Sequence, residues 1–318
     1  MTARAVVFAY HNLGARCLRV LCAQGVEVPL VVTHGDDPSE VQWFERVSDV
    51  ADDLGLDCTA PLDVNASDVV AAIRALAPDF LFSFYYRRML SRELLSLGSR
   101  GALNVHGSLL PRYRGRAPVN WAVLNGERET GATLHYMTDK PDAGDIVAQQ
   151  AVPILPDDTA RQVSDKVTVA AEMCLDRVLP ALLGGTAPRL PNDLARGSYF
   201  GGRTPADGRI DWSQGARRIH DLVRAVAPPY PGAFTAVAGV PARVLRTRVL
   251  DATGERRSPE LRIDGVARAN AKIVSGDLIV AHCGGGGTLR VDALELAGQP
   301  QTPAALRARF GVRALPLG

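Results

Sequence analysis

Between Leu103 and Asp145 the chain sets out an amide, an imidazole and a carboxylate: Asn104 and His106 are separated by one residue, and Asp142 lies in the turn P-D-A-G. Leu103 to His106 reads as a short buried strand. Strand side chains alternate between faces, so Asn104 and His106 project to one side and Leu103 and Val105 to the other. Gly107, Ser108 and the Leu-Leu-Pro step then end the strand in an irregular loop carrying Arg112, Arg114 and Arg116. An amide beside an imidazole suits acyl transfer to an amine. The carbonyl oxygen becomes an oxyanion that an amide N–H can bind, the amine nitrogen must lose a proton that histidine can carry, and each effect supplies roughly two to four powers of ten in rate. A carboxylate beside the imidazole fixes its tautomer and supports its charged form. If the substrate amine attacks directly, no serine or cysteine nucleophile is needed. Taken singly, Asn-x-His on a strand is more often structural than catalytic, and Asp142 next to Gly144 is an ordinary turn residue.

The elements that must position these groups follow an α/β pattern. Ala5 to Ala9 is an apolar strand, Gly14 to Ala23 has helical spacing, and Val28 to Thr33 is a second strand. Asp68 to Leu76 is a helix that Ala77-Pro78 ends, and Phe80 to Phe84 is again a strand. Such alternation implies parallel strands with right-handed crossovers, whose carboxyl ends open into a ligand crevice. The first turn, Y-H-N-L-G, lacks the G-x-G-x-x-G dinucleotide fingerprint.

Ala160 to Leu183 is a long helix, and Thr186 to Asp207 is loop-like. A boundary near Arg203 divides a catalytic domain, residues 1–203, from a second domain, 204–318. There a helix from Ala216 to Val226 stops at Pro228-Pro229. Short strands then alternate with turns: Ala233 to Val237, Ala242 to Leu250, Leu261 to Val266, Asp277 to Ala281 and Thr288 to Leu296. The expected fold is therefore a Rossmann-like, mostly parallel sheet followed by a smaller OB-like β-barrel. Gly284 to Gly287 reads as a hairpin rather than a phosphate cradle, because a strand and not a helix follows it.

The string N-V-H-G-S-L-L-P-R-Y-R-G-R-A-P-V-N-W, with G-E-x-E-T-G-A-T-L-H and D-A-G-D-I-V-A-Q after it, resembles the folate-dependent formyltransferase family. That family's signature is Asn-x-His, then S-x-L-P-x-x-R-G, then a distant Asp-x-G, all present here in order. V-V-F-A-Y-H, F-S-F-Y-Y-R, Y-R-G-R-A-P and R-A-V-A-P-P-Y-P-G-A-F extend the likeness along the chain. They resemble most the formyltransferase domain of bifunctional polymyxin-resistance enzymes, which act on UDP-4-amino-4-deoxy-L-arabinose in lipid A modification. Methionyl-tRNA formyltransferases typically show alanine where Gly107 stands and W-R-G-A-A-P where this chain has Y-R-G-R-A-P.

The resemblance implies transfer of a formyl group from N10-formyltetrahydrofolate to an amino sugar, with Asn104, His106 and Asp142 as the catalytic trio and no metal or flavin. It places folate against Arg88, Met89, Leu90, Arg116 and the loop Thr138, Asp139, Lys140, Pro141 and Asp142. Arg203, Arg224 and Tyr230 are the weaker candidates for the sugar nucleotide. A free-standing enzyme is expected, with any dehydrogenase/decarboxylase activity on another polypeptide. The alternatives are a methionyl-tRNA formyltransferase and a non-catalytic folate-binding protein.

Composition sets the remaining bounds. A 318-residue chain with 47% hydrophobic content is long enough for two domains, and its net charge of +2 argues against broad nucleic-acid binding. No apolar run approaches the roughly twenty residues of a membrane span, so a cytoplasmic enzyme is expected. Cys17, Cys22, Cys58, Cys174 and Cys283 show no metal spacing and read as reduced thiols. Arg87 and Arg88 make a second cationic group beside that of Arg112 to Arg116. Either group could meet a phosphate, a folate glutamate tail or a nucleotide diphosphate, or be solvated on its loop. His11 and His34, near strand ends, read as structural or peripheral.

Overall fold

The computed structural model describes residues 2–35, 42–269, 272–311 and 314–318. Its elements form two compact units, one of Met1–Val119, Glu129–Pro153 and Ser164–Gly201, the other of Asn120–Arg128, Ile154–Val163 and Gly202–Gly318.

The first unit carries β1 (Arg4–Ala9), α1 (His11–Ala23), β2 (Glu27–Val32), α2 (Val47–Asp53), β3 (Cys58–Thr59), α3 (Ser67–Ala75) and β4 (Phe80–Phe84). There follow α4 (Arg92–Leu95), β5 (Gly101–His106), β6 (Arg114–Gly115), β7 (Glu129–Tyr136), β8 (Ile146–Pro153), most of α6 (Ala160–Leu183) and β9 (Tyr199–Phe200), while α5 (Pro118–Leu124) belongs mostly to the second unit. Seven strands form one sheet in the order β3-β2-β1-β4-β5-β7-β8. The pairs from β3 to β5 are parallel, and β7 and β8 add an antiparallel edge. Ala5 to Ala9 are wholly buried, which is why β1 reads as an unbroken apolar run rather than an alternating one. The strand order turns at β1, with β2 on one side and β4 on the other, and this is where parallel sheets open a crevice. Gly14 lets α1 sit close on the sheet: a β-carbon there would lie 3.1 Å from that of Ala9 and 3.2 Å from the Phe84 carbonyl oxygen.

The second unit carries α7 (Ala216–Val226), β10 (Ala233–Val237), β11 (Val240–Asp251), β12 (Glu260–Ala269), β13 (Lys272–His282), β14 (Thr288–Leu296), β15 (Gln299–Pro300), α8 (Pro303–Phe310) and β16 (Leu315–Pro316). These strands form an antiparallel sheet in the order β10-β11-β14-β13-β12-β16, with β15 on β14. Residues just past β16 bond back to β10, the Ala236 N–H donating to Gly318 O at 2.9 Å, so the sheet curls into a nearly closed barrel. Ile219 and Val223 of α7 join Val244, Leu289 and Leu296 in its core. The expected Rossmann-like sheet and small β-barrel are thus both present.

The glycine run is the turn between β13 and β14, with Gly286 at φ 104° and Gly287 at φ 86°. It also packs on backbone: Gly284 N–H donates to Trp212 O at 2.7 Å, and Gly286 O accepts from the Ala216 N–H at the start of α7 at 3.0 Å. No β-carbon would fit there, since one on Gly285 would lie 2.5 Å from Gly215 N.

Candidate active site

Strand β5 delivers the first two groups. Asn104 pairs with Ser83 of β4 on one side and His135 of β7 on the other, and His106 pairs with Thr133. Antiparallel partners share a face, so Asn104, His106 and His135 converge. The loop 137–145 brings Asp142 back to them. Gly144 makes that path possible, because a β-carbon there would strike the Tyr136 carbonyl. Asp142 itself is held in the left-handed region at φ 50°.

His106 is buried, and its Nε2 lies 2.7 Å from the carbonyl oxygen of Tyr113. A carbonyl only accepts, so Nε2 carries hydrogen and the lone pair of the neutral ring is on Nδ1. Nδ1 is 3.4 Å from Asp142 Oδ1. The other oxygen, Oδ2, accepts the Gly115 N–H at 2.9 Å, and Asn192 Nδ2 donates to the Asp142 carbonyl at 3.0 Å. Burial pushes the His106 pKa below its ordinary value, opposed by the Asp142 charge and the Tyr113 carbonyl. Burial also acts to raise the Asp142 carboxyl, but His106, His135 and the Gly115 N–H together hold it down at about 2. Of these partners, the Gly115 N–H is one whose hydrogen bond to Asp142 does not depend on the charge of a histidine ring.

His135 belongs to the same cluster, although its chemistry is not apparent from the sequence. Its Nδ1 donates to Tyr136 O at 2.8 Å, which leaves Nε2 as an acceptor for Asn104 Nδ2 at 3.1 Å. Nε2 is also 3.6 Å from Asp142 Oδ1. His135 thereby fixes which end of the Asn104 amide is the donor and leaves the second N–H of that group for another acceptor. The only hint in the sequence is the string G-A-T-L-H, which says nothing of the β5–β7 register.

The three segments expected to hold folate also converge here. Arg92, just past Arg88, Met89 and Leu90, pairs through its guanidinium with both oxygens of Asp139. This ties the segment after β4 to the loop of Thr138, Lys140, Pro141 and Asp142. Gly115, bonded to Asp142, brings exposed Arg116 beside them. Arg88 and Met89 are exposed and Leu90 is buried, while Thr138 Oγ1 donates to Lys140 O at 3.1 Å. The cationic loop is partly neutralised: Arg112 meets Glu129 at 3.3 Å, and the Arg114 guanidinium lies over the Tyr199 ring. Arg87 covers the Tyr10 ring, and the His34 ring stacks on Tyr86 while Nε2 accepts the Arg87 N–H at 3.0 Å, which is a packing role. His11, at the start of α1, lies 4.4 Å from the Trp43 ring.

The residues expected to hold the sugar nucleotide lie in the second unit. Arg224 is buried, spending its guanidinium on Asp221 at 2.7 Å and on the carbonyls of Asp158 and Val123. That is a packing arrangement and leaves little for a ligand. Arg203 lies over Trp121 and donates to Asp207 O, and Tyr230 is half-buried. A cavity of about 360 Å³ in that unit is lined by Leu124, Asp207, Arg209, Asp211, Arg218 and Leu222 among others. Asp211 is already bonded to Ser213 and Gln214, and Arg218 to the Leu124 carbonyl, so its polar groups do not converge on the space. Polar groups converge instead around Asn104, His106, His135 and Asp142.

The formyl transferase family matches residues 5–179, and the formyl transferase C-terminal domain matches residues 203–309. The chain belongs to the formyl transferase family. It is a formyl-transferring enzyme, as expected. This formyltransferase is similar in structure to the N-formyltransferase from Helicobacter canadensis solved with folinic acid and dTDP-3-aminofucose, at 17% identity over 95% of this chain and 100% of that one, TM-score 0.66. It is similar also to WlaRD, a sugar 3N-formyl transferase solved with dTDP and 5-N-formyl-THF, at 16% identity over 94% and 99% of the two chains, TM-score 0.68. A third likeness is HypX from Aquifex aeolicus in complex with tetrahydrofolic acid, 18% identical, where 98% of this chain covers 48% of that one, TM-score 0.61. At these identities the likenesses establish the fold. Among the described residues of the formyltransferase, no helix is long and apolar enough to cross a membrane.

Proposed function

We propose that this formyltransferase moves the formyl group of N10-formyltetrahydrofolate to the 4-amino group of a nucleotide-linked amino sugar, UDP-4-amino-4-deoxy-L-arabinose. The observation that carries the acyl-transfer reading is the cluster in which half-buried Asn104 and Asp142 meet buried His106 and His135. The acceptor amine attacks the formyl carbon, forming a C–N bond and a tetrahedral oxyanion. Asn104, its amide oriented by His135, donates its second N–H to that oxygen. The amine's proton goes to His106 Nδ1, because Nε2 is committed to Tyr113, and Asp142 supports the imidazolium that results. The intermediate collapses by breaking the bond to N10, which takes up the proton. The ring is oriented by the Tyr113 carbonyl, leaving Asp142 with the electrostatic role. Arg88 to Leu90, Arg116 and Thr138 to Asp142 would flank the folate.

The amino-sugar acceptor is favoured over charged tRNA by the barrel's surface. Arg243 pairs with Glu295, Arg248 and Arg290 with Asp292, Arg262 with Glu260, and Arg307 with Asp277, so these cations are matched by carboxylates rather than arrayed for a phosphate backbone. The names of two structural neighbours, which refer to an amino sugar and to sugar formylation, support the same reading. Labelled N10-formyltetrahydrofolate offered with UDP-4-amino-4-deoxy-L-arabinose, dTDP-amino sugars and initiator methionyl-tRNA tests it. Transfer to the UDP sugar is expected. Transfer to methionyl-tRNA alone would give the tRNA reading its place, and folate binding without transfer to any acceptor would leave a binding protein.

A further inference from the structure

We propose that Tyr85 is a specificity-determining residue for the acceptor, its phenol hydroxyl seated on Gly107 at the mouth of the crevice and bonding a hydroxyl of the sugar. The inference rests on the amino-sugar reading above. Gly107 follows His106 directly, and a β-carbon there would overlap the Tyr85 phenol oxygen, with ring carbons Cζ and Cε1 at 3.1 and 3.3 Å. Gly107 is not among the glycines at positive φ, so its backbone does not require glycine. The constraint comes from the tyrosine, because an added methyl would have to push its phenol aside. The phenol oxygen therefore lies one residue beyond the imidazole, over bare backbone.

Tyr85 occupies this place at a conformational cost. It has φ 58°, in the left-handed region that a bulky side chain rarely enters, and such strain persists only where surrounding structure imposes it. Strand β4 ends at Phe84, so Tyr85 is the first residue beyond the sheet, beside the point where the strand order turns. Its ring centroid is 6.2 Å from that of His11, which follows β1 and is itself at φ 66°. The half-buried ring thus extends from the end of β1 to the end of β5, across the crevice where a parallel sheet binds its ligand.

Phenol chemistry fits this position. One O–H both donates and accepts, as a sugar hydroxyl does, and the ring gives an apolar surface for the C–H face of a sugar. An alanine methyl at 107 would fill the same space with a group that cannot hydrogen-bond. A site built to bond a hydroxyl discriminates strongly against acceptors that lack it.

Four full-length proteins test this: wild type, Tyr85→Phe, Gly107→Ala and the double variant, each assayed with N10-formyltetrahydrofolate and UDP-4-amino-4-deoxy-L-arabinose. Tyr85→Phe should raise the acceptor KM about tenfold, the worth of one hydrogen bond, with the folate KM within about twofold and the thermal midpoint unchanged. Gly107→Ala should move the acceptor KM the same way by displacing the phenol, and the double variant should be no worse than the weaker single one. An unchanged acceptor KM in Tyr85→Phe, a loss falling on the folate KM, or activity lost in step with the thermal midpoint would each overturn the inference. A wild type that formylates no sugar nucleotide removes the parent reading and this inference together, whereas an active wild type matched by Tyr85→Phe removes only the inference.

Discussion

His106 faces Asp142 with Nδ1, 3.4 Å from Oδ1, because its Nε2 donates to the Tyr113 carbonyl at 2.7 Å. A neutral ring therefore points a lone pair at a carboxylate, and the space between them is where an incoming proton is most stabilised. The His106–Asp142 pair is a proton-accepting site as one unit, and the histidine cannot act through its other nitrogen without giving up Tyr113.

Asp142→Asn should lower turnover by roughly two to four powers of ten, because the amide would donate to Nδ1 and lock the ring neutral. The Gly115 N–H would still find an oxygen acceptor, so the loop should keep its shape. Removing the carboxylate takes away the larger of the two influences that oppose burial, so the His106 pKa should fall further and the acid limb of kcat/KM should move to lower pH. Near-full activity with an unchanged profile would reduce Asp142 to a turn residue.

Much of the scaffold is legible in the sequence because it rests on periodicity. Phe80–Phe84, Ala160–Leu183 and Ala216–Val226 are elements with the bounds their patterns imply. β7 and β8 are not legible in the same way. Glu129–Tyr136 buries Thr130, Thr133 and His135, and Ile146–Pro153 contains Gln149 and Gln150, so neither looks like an apolar strand. Missing β7 means missing His135, since only the β5–β7 register sets it opposite Asn104. Arg224 illustrates the converse problem, because sequence cannot tell a cation offered to a ligand from one buried in packing.

Acid should destabilise the fold in two stages. Burial holds His106 and His220 below the ordinary histidine value. The unfolded chain takes up those protons near pH 6.5, so stability is complete above that pH and is lost as pH falls toward the folded values. Asp142, at about 2 instead of 3.8, adds a second loss between those values. His220 Nε2 donates to Pro156 O and Nδ1 accepts from Thr247, so its neutral form is fully bonded. In urea titrations, His220→Gln should lose less stability than wild type between pH 7.5 and 5.5. Equal losses would mean that His220 binds its proton as readily inside the fold as outside.

Asp221 and Arg224 form an ion pair at 2.7 Å on α7, each side chain only 6% exposed. Removing one partner leaves an uncompensated charge in the interior. Asp221→Ala should therefore cost about 3–5 kcal/mol, read as a lower midpoint in denaturant with little change in slope. A cost below about 1 kcal/mol would show that the guanidinium reaches solvent once released.

Acceptor class can be read from electrostatics before any product is isolated. A tRNA bridges many phosphates, and each neutralised phosphate adds to the salt dependence of binding, whereas a sugar nucleotide brings two and gives only a shallow dependence. With so many barrel arginines paired to carboxylates, the shallow case is expected. UDP or a UDP-amino sugar should raise the thermal midpoint by an amount that follows RT ln(1 + [L]/Kd) and changes little between 50 and 200 mM salt, concentrations taken from the range over which phosphate contacts lose roughly three to five powers of ten in affinity. Initiator methionyl-tRNA should give no comparable rise. Protection by tRNA that collapses over that salt range, with none from UDP, would transfer the acceptor assignment from the sugar to the tRNA.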